Sequence, residues 1–300
     1  MERLEYKVAA EDEGKSAGYL LRARLDLSAG LVRRLKTLPD GIMLDGERVF
    51  TNALPKKGQV LSALKDGGRQ QDILPVKGPL DIAYEDGDLL IANKQAPLPV
   101  HPSRGHYDDT LANYLVYEME RRKEPFSFHA VNRLDSGTSG LMCVAKNAHF
   151  ANRLSEHLRD GGITRLYMAV CLGEIKEDKG RVELPISRKE GFGIMRRVSE
   201  NGEYALTRYR VLARGLGRSL VLLKLETGRT HQIRVHMAAL GHSLYGDFMY
   251  GHEEAGFPRT ALHSCHISIK GAGKDISLYC PPPDIFFELV GQKPFKPEGL

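Results

Sequence analysis

Cysteine is scarce in this chain. There are four, Cys143, Cys171, Cys265 and Cys280, and no two of them form a CxxC pair. A disulfide framework and a four-thiolate zinc site are therefore not indicated. Three of the four lie in apolar, strand-like runs and read as buried free thiols of a protein in a reducing cytoplasm. The run His263-Ser264-Cys265-His266 has metal-ligating residue types, yet neighbours on a strand point to opposite faces and converge poorly on one ion, so no metal is expected. Long hydrophobic runs are also missing: none approaches the ~20 residues that span a bilayer. The opening segment MERLEYKVAAEDEGK is charged throughout and reads as no signal peptide, which makes the cytoplasm the expected compartment and leaves a membrane out. Neither sign of charge dominates. The net charge of +5 is a mild basic excess that becomes informative only where basic residues cluster. With 42% hydrophobic residues and interspersed charges, disorder is not expected.

What is present is a chain of 300 residues, enough for one large core and a smaller appendage. The stretch Lys65 to Pro79, rich in Gly, Lys, Asp and Pro, reads as a linker, giving units at 1–66 and 80–300 joined by 67–79. In the first unit residues 15–38 read as helical, with Arg22, Arg24, Arg33, Arg34 and Lys36 outnumbering the single Asp26. A hairpin follows at Ile42–Val49, turning at Asp45-Gly46. A basic helix with a hairpin suits an RNA clamp and equally suits a solvated face.

The second unit opens on a hairpin, Asp81 to Tyr84 and Leu89 to Asn93 around the turn Glu85-Asp86-Gly87-Asp88. A helix from about Thr110 to Arg121 has Asp108 or Asp109 as candidate N-cap. Leu141 to Ala145 reads as a buried strand, Asn147 caps the next helix, and Gly161-Gly162 ends it. Residues 163–172 form the clearest strand. Thr164, Leu166, Met168, Val170 and Leu172 make a buried face, while Arg165 and Tyr167 project together from the other. Further strands are expected at 205–213, 219–226, 260–269 and 275–279. The order of elements predicts an α+β fold with a mixed, largely antiparallel sheet.

Three segments carry chemistry. Val131-Asn132-Arg133-Leu134-Asp135-Ser136-Gly137-Thr138-Ser139-Gly140 places an aspartate on a glycine-rich loop before a strand, which is either a turn brace or a close approach to a bulky ligand. Thr227-Gly228-Arg229-Thr230-His231-Gln232-Ile233-Arg234-Val235-His236 reads as a loop and a helix capped by Thr230 and ending at Gly241. Ile233, Met237 and Leu240 form its core stripe, with Arg234 and His236 at the stripe's edges. An arginine so placed needs an anion, because an unpaired buried charge is costly. The third segment is Arg165-Leu166-Tyr167, whose tyrosine offers a plane for a nucleobase or plain packing.

Together and in this order, the three segments resemble the RluA-type family of RNA pseudouridine synthases. The likeness extends to Asn93-Lys94 through His101-Pro102, Leu240-Gly241-His242 through Gly246-Asp247, and Leu262-His263, covering about residues 80–285. The first unit is more weakly similar to an S4-type RNA-binding domain. One departure stands out: Asn132 occupies a position where the family usually has histidine, so the contact made there is in question, and a proton shuttle is not expected of this residue.

The resemblance implies isomerisation of a uridine in ribosomal or transfer RNA, without a cofactor, by a monomer that needs no protein partner. It implies Asp135 as nucleophile at C1′ or base at C2′, Arg234 as its cationic partner, and Tyr167 against the target base. It implies contacts to RNA by Asn132, Arg133, Thr138, Arg165, Arg229 and His231, and by Arg33, Arg34 and Lys36 of the first unit. Arg121-Arg122-Lys123, Arg188-Lys189 and Arg196-Arg197 are candidate phosphate contacts or plain surface. Two other readings compete. A non-catalytic RNA-binding factor is permitted by Asn132, and a glycoside hydrolase would want two facing carboxylates where these motifs offer one.

Overall fold

The computed structural model describes residues 2–66, 73–252, 254 and 257–298. In the first unit β1 (Arg3–Lys7), α1 (Ala17–Ala23), α2 (Ala29–Leu35), β2 (Ile42–Leu44), β3 (Glu47–Arg48) and β4 (Val60–Leu64) form a sheet of order β1-β4-β2-β3 with two helices on it. Leu20, Leu21, Leu31, Leu35, Ile42 and Leu61 fill the space between. The region expected as one helix is two. The chain turns at Asp26, whose φ is 54°, and Ser28 Oγ then accepts the Leu31 amide at 3.1 Å to start α2. The break lets both helices lay leucines on the same small sheet. Arg24 is not free for a ligand: it grips buried Asp12 at 2.8 and 3.0 Å, beside Lys15 and Tyr6.

Residues 67–72 of the expected linker lie outside the described residues. Residues 73–79 run along the second unit, where Val76 N donates to Asn113 O and Asn113 Nδ2 to Leu74 O.

The second unit comprises β5 (Ile82–Glu85), β6 (Leu89–Lys94), α3 (Leu111–Arg122), β7 (His129–Ala130), β8 (Ser139–Ala145), α4 (Ala148–Arg159), β9 (Ile163–Leu172), β10 (Lys179–Glu183), β11 (Ile186–Arg188), β12 (Arg196–Val198), β13 (Leu206–Gly215), β14 (Arg218–Leu225), α5 (Gln232–Ala239), β15 (Leu262–Gly271), β16 (Lys274–Tyr279) and α6 (Ile285–Glu288). Its main sheet runs β10-β13-β14-β9-β15-β8-β6-β5, with β16 on β15 and β7 on β8, while β11 and β12 form a separate hairpin. Every pair is antiparallel except β15 with β8. The fold is thus α+β with a largely antiparallel sheet, as the sequence predicts. Met142 and Val144 of β8 pack with α3, whereas Leu141 and Cys143 pack with α4. The first unit rests on α4: Ala148 enters its core, and Asn152 Nδ2 donates to Ser28 Oγ at 2.8 Å.

Several local expectations change. The cap of α3 is Thr110, not Asp108 or Asp109, because Thr110 and Asn113 bond each other's backbone amides reciprocally. Arg121 and Arg122 at the end of α3 pair with Glu118, and Arg122 also with Glu85, so they brace this corner. The largest change is in β9. The face with Ile163, Arg165, Tyr167, Ala169 and Cys171 is the wholly buried one, while Thr164, Leu166 and Leu172 opposite are partly exposed. Met168 and Val170 on that opposite face are also buried, so the strand is covered on both sides along its middle, with α5 and the loop of Asp135 over the face expected to be open.

Gly140 holds the parallel junction. Its φ is +103°, and a Cβ there would lie 2.2 Å from Ser264 O on β15. Gly140→Ala should cost at least about 2 kcal/mol of stability from strain and forced separation of β8 and β15. Urea unfolding measures this, and an unchanged midpoint would show that the strands part freely.

Candidate active site

Asp135 sits on the loop from β7 to β8, held from three sides. Leu134 is buried in the main core, Thr138 N donates to Asp135 O at 3.0 Å, and Ser136 O receives Lys94 Nζ at 3.1 Å. Lys94 is 1% exposed and also donates to the carbonyls of Gln95 and Leu98. Three donors thus meet three acceptors under the loop. Burial pushes the Lys94 amine down to about 7, against the attraction of Asp135.

The Asp135 carboxylate meets Arg234 of α5. Nη1 donates to Asp135 Oδ2 at 3.1 Å. Arg234 Nε and Nη2 donate to the two oxygens of Asp247, each at 2.7 Å. Asp247 has no exposed surface, and its Oδ1 also accepts the amides of Met249 and Tyr250. The two-toothed grip goes to Asp247, while Asp135 shares one N–H and keeps Oδ1 open. Arg234 is also stacked, 5.0 Å from the Tyr250 ring centre.

His231 completes the rim. The Tyr250 hydroxyl accepts the Arg196 amide at 2.8 Å, so its own proton is available to His231 Nδ1 at 2.7 Å. That assignment leaves the ring proton on Nε2, which faces Asp135 Oδ1 at 3.8 Å. Burial lowers the His231 pKa, partly opposed by Asp135, so the ring is neutral at physiological pH. His231 itself, with φ 58° and no side-chain cap bond, precedes α5 in place of the expected Thr230 cap. Gln232 explains why: its side chain accepts the Arg229 amide and the Thr227 hydroxyl and donates to Leu206 O and Thr207 Oγ1, which fixes the whole loop. Of the expected stripe, Ile233 and Met237 are buried, and Leu240 is exposed at the helix end.

Tyr167 of β9 lines the same cavity, with Leu225, Ile233 and Leu262 as apolar floor and Thr138, Arg133 and Arg229 at its edge. Burial raises the Tyr167 pKa, Arg165 opposes that, and Asp135 adds to it. The phenol is therefore neutral at pH 7, a plane rather than a ready base. Arg133 is exposed, with Nη2 3.5 Å from Thr230 Oγ1. Arg229 pairs with Glu203 and bonds Tyr204 O.

The structure thus gathers Asp135, Tyr167, Arg234, Arg133, Thr138, Arg229 and His231 around one cavity. Asn132 is not among them. It is 6% exposed and turns into the protein, where Oδ1 accepts the Cys143 amide at 2.9 Å. Arg165 lies nearby but outside the cavity lining, and Arg33, Arg34 and Lys36 stay on or next to α2 of the first unit. Sequence reasoning had no role for Asp247, Tyr250, Gln232 or Lys94. The usable signals were that a buried arginine needs an anion and that Asn93-Lys94 and Gly246-Asp247 flank the motifs, without a partner or role for either.

Behind the loop, Arg259 Nη1 donates to Ser139 Oγ, which meets His263 Nδ1 at 2.9 Å. His263 Nε2 contacts Cys280 O. His263 thereby braces β8 against β15.

Comparison with known proteins follows this geometry. The family model described as RNA pseudouridylate synthase matches residues 88–239. The RNA pseudouridine synthase YhcT of Bacillus subtilis (strain 168) is 35% identical over 263 residues, 87% of each chain. The ribosomal large subunit pseudouridine synthase D of Haemophilus influenzae is 34% identical over 290 residues, 90% of this chain and 86% of that one. Among solved structures, human RNA Pseudouridylate Synthase Domain Containing 1 superposes with a TM-score of 0.58 at 31% identity, covering 69% of this chain and 84% of its own.

Two outcomes follow. Asp247→Asn breaks a buried ion pair and should cost about 3–5 kcal/mol in urea unfolding; a loss under 1 kcal/mol would mean that Arg234 is held otherwise. Burial lowers the His263 pKa to about 4. A neutral native ring resists the proton that the unfolded chain binds below ~6.5, so stability falls as pH drops through that window. Between pH 7 and 5 this one group should remove about 2 kcal/mol, and the His263→Asn variant should show a correspondingly flatter pH dependence. An equally steep profile in that variant would exonerate His263.

Proposed function

The chain belongs to the RNA pseudouridylate synthase family, and from that premise we propose that Asp135 is its essential carboxylate. The protein isomerises uridine to pseudouridine in RNA. The reaction breaks the N1–C1′ bond, turns the uracil and joins C5 to C1′; C5 gives up its proton and N1 takes one up, so the product is an isomer. Every atom of the substrate is retained and nothing is oxidised, so the chemistry calls for no cofactor. It calls for a charged carboxylate near C1′, a pocket that keeps the freed base, and an acceptor for one proton.

The single observation that carries the assignment is the Asp135–Arg234 contact at 3.1 Å beside Tyr167 in one cavity. Asp135 Oδ2 is fixed by the guanidinium, and Oδ1 is left to meet the ribose, as nucleophile at C1′ or base at C2′. Arg234 supplies a positive charge beside the carboxylate and fixes its direction through the 3.1 Å contact. Tyr167 lies against the uracil and limits its movement between the two bonding arrangements. With its pKa raised by burial, removal of the C5 proton falls more naturally to Asp135 or water than to the phenolate.

A uridine inside a helix must leave the stack, at a cost of a few kcal/mol. Exposed Arg133, next to Asp135 on the cavity's edge, is placed to fill the vacated stack or grip its phosphate. Thr138, His231 and Arg229 make further contacts to the nucleotide, while Asn132 supports the loop from within. Arg33, Arg34 and Lys36 in the S4-like first unit extend the RNA contact. Relatives named for the ribosomal large subunit make ribosomal RNA the substrate to test first, with transfer RNA second, and the protein acts as a cytoplasmic monomer.

The test is incubation of wild-type and Asp135→Asn protein with RNA from cells lacking this protein, followed by pseudouridine mapping. Wild type should create new sites, and the variant none, with RNA affinity and melting temperature near wild type. Near wild-type turnover by the variant would remove Asp135 from the chemistry.

A further inference from the structure

Four lysine or arginine side chains are buried among the described residues: Lys94, Lys146, Arg165 and Arg234. Three have hydrogen-bond or ion-pair partners. Lys94 faces three carbonyls, Lys146 pairs with Glu85 and Glu124, and Arg234 pairs with Asp135 and Asp247. Arg165 is the exception. It is 7% exposed, its Nε has no hydrogen-bond partner, and no carboxylate among the described residues pairs with it. An unpaired buried charge is one of the most costly features a fold can keep. Such a feature persists where a ligand supplies the missing anion.

Its position says which anion. Arg165 lies two residues before Tyr167 on the same face of β9. Its Nη1 and Nη2 lie under Gly228, 3.4 and 3.7 Å from where a Cβ would stand there. Gly228 borders a groove against the β11–β12 hairpin, whose lining includes Arg188, Arg196, Arg229 and Thr230. Arg229 lines both this groove and the Asp135 cavity. An RNA backbone crossing this lip, with its base in the cavity, meets no side chain at Gly228 and can approach the guanidinium beneath.

We propose that Arg165 is the buried anchor for one phosphodiester next to the target nucleotide. This rests on the reading of the chain as an RNA pseudouridine synthase. The phosphate supplies the missing countercharge, and the guanidinium offers it two parallel N–H donors. Arg165 is a positioning residue: it sets where the ribose lies over Asp135 and takes no part in bond making. A buried cation with one ligand-supplied partner has a signature that a structural ion pair lacks, because deleting it relieves the free protein while weakening the complex.

The experiment uses full-length protein and in vitro transcribed large-subunit ribosomal RNA, with wild type, Arg165→Met and Arg165→Lys. Arg165→Met should melt at or above the wild-type temperature and bind RNA roughly tenfold more weakly. Its log–log dependence of affinity on salt should be shallower by about one unit, the loss of one phosphate contact. Its kcat at saturating RNA should fall as well, because the ribose is no longer held over Asp135. Arg165→Lys keeps the charge, so it should retain the salt slope while losing affinity severalfold for want of the planar fork. An unchanged slope and affinity in Arg165→Met overturns the proposal, as does a melting temperature several degrees lower with an unchanged slope. Should Arg165→Met fail to fold, wild-type affinity in Arg165→Lys overturns it. A wild-type protein that forms no pseudouridine on any RNA refutes the functional reading instead, and the salt slopes still report on Arg165 by themselves.

Discussion

Arg234 carries one positive charge, and two carboxylates share it. Asp247, fully buried, takes both arms of the fork at 2.7 Å, and Asp135, partly open, takes the remaining N–H at 3.1 Å. In the proposed reaction that asymmetry decides which carboxylate can act. A carboxylate locked in a bidentate pair has little freedom to react, and one without a cation has nothing to orient it. Asp135 is in neither condition. It is oriented by one N–H, and its other oxygen stays free of the guanidinium.

The rest of the fold can be understood as holding the two ends of this contact. One end is the loop before β8, fixed by Lys94 beneath, by Leu134 in the core, and by the Arg259–Ser139–His263 chain behind. The other is α5, fixed by Gln232 at its start and by Ile233 and Met237 on β9 and its neighbours. The parallel junction of β15 with β8 lies where the sheet brings the two ends together. The first unit stands on α4, and its charges are felt at His129 of β7, whose pKa is lowered by burial, raised in part by Asp66 and lowered further by Arg34. That places the basic helix near the strand that leads into the Asp135 loop.

Much was legible beforehand. Turn chemistry at Asp45-Gly46 and Asp86-Gly87, the cap at Asn147 and the long alternation of 163–172 each depend on neighbours a few residues away, and each appears where expected. The errors fall where distant residues decide. Thr110 outcompetes Asp108 and Asp109 because Asn113 answers it. Thr230 yields to Gln232, whose partners lie on β13. The covered face of β9 was misjudged because alternation reports two faces and says nothing of what is packed on either.

The sequence alone determined the chemical vocabulary: a glycine-rich loop with one aspartate, a helix presenting an arginine, a strand with a tyrosine, and the order that ties them to a family. These follow from residue types and short spacings. The tertiary structure alone decided that Asp135 and Arg234, 99 residues apart, are in contact, that Asp247 is the stronger partner, and that Arg165 is buried without one. Ion pairing and desolvation depend on distance in space, which a linear order of residues does not encode.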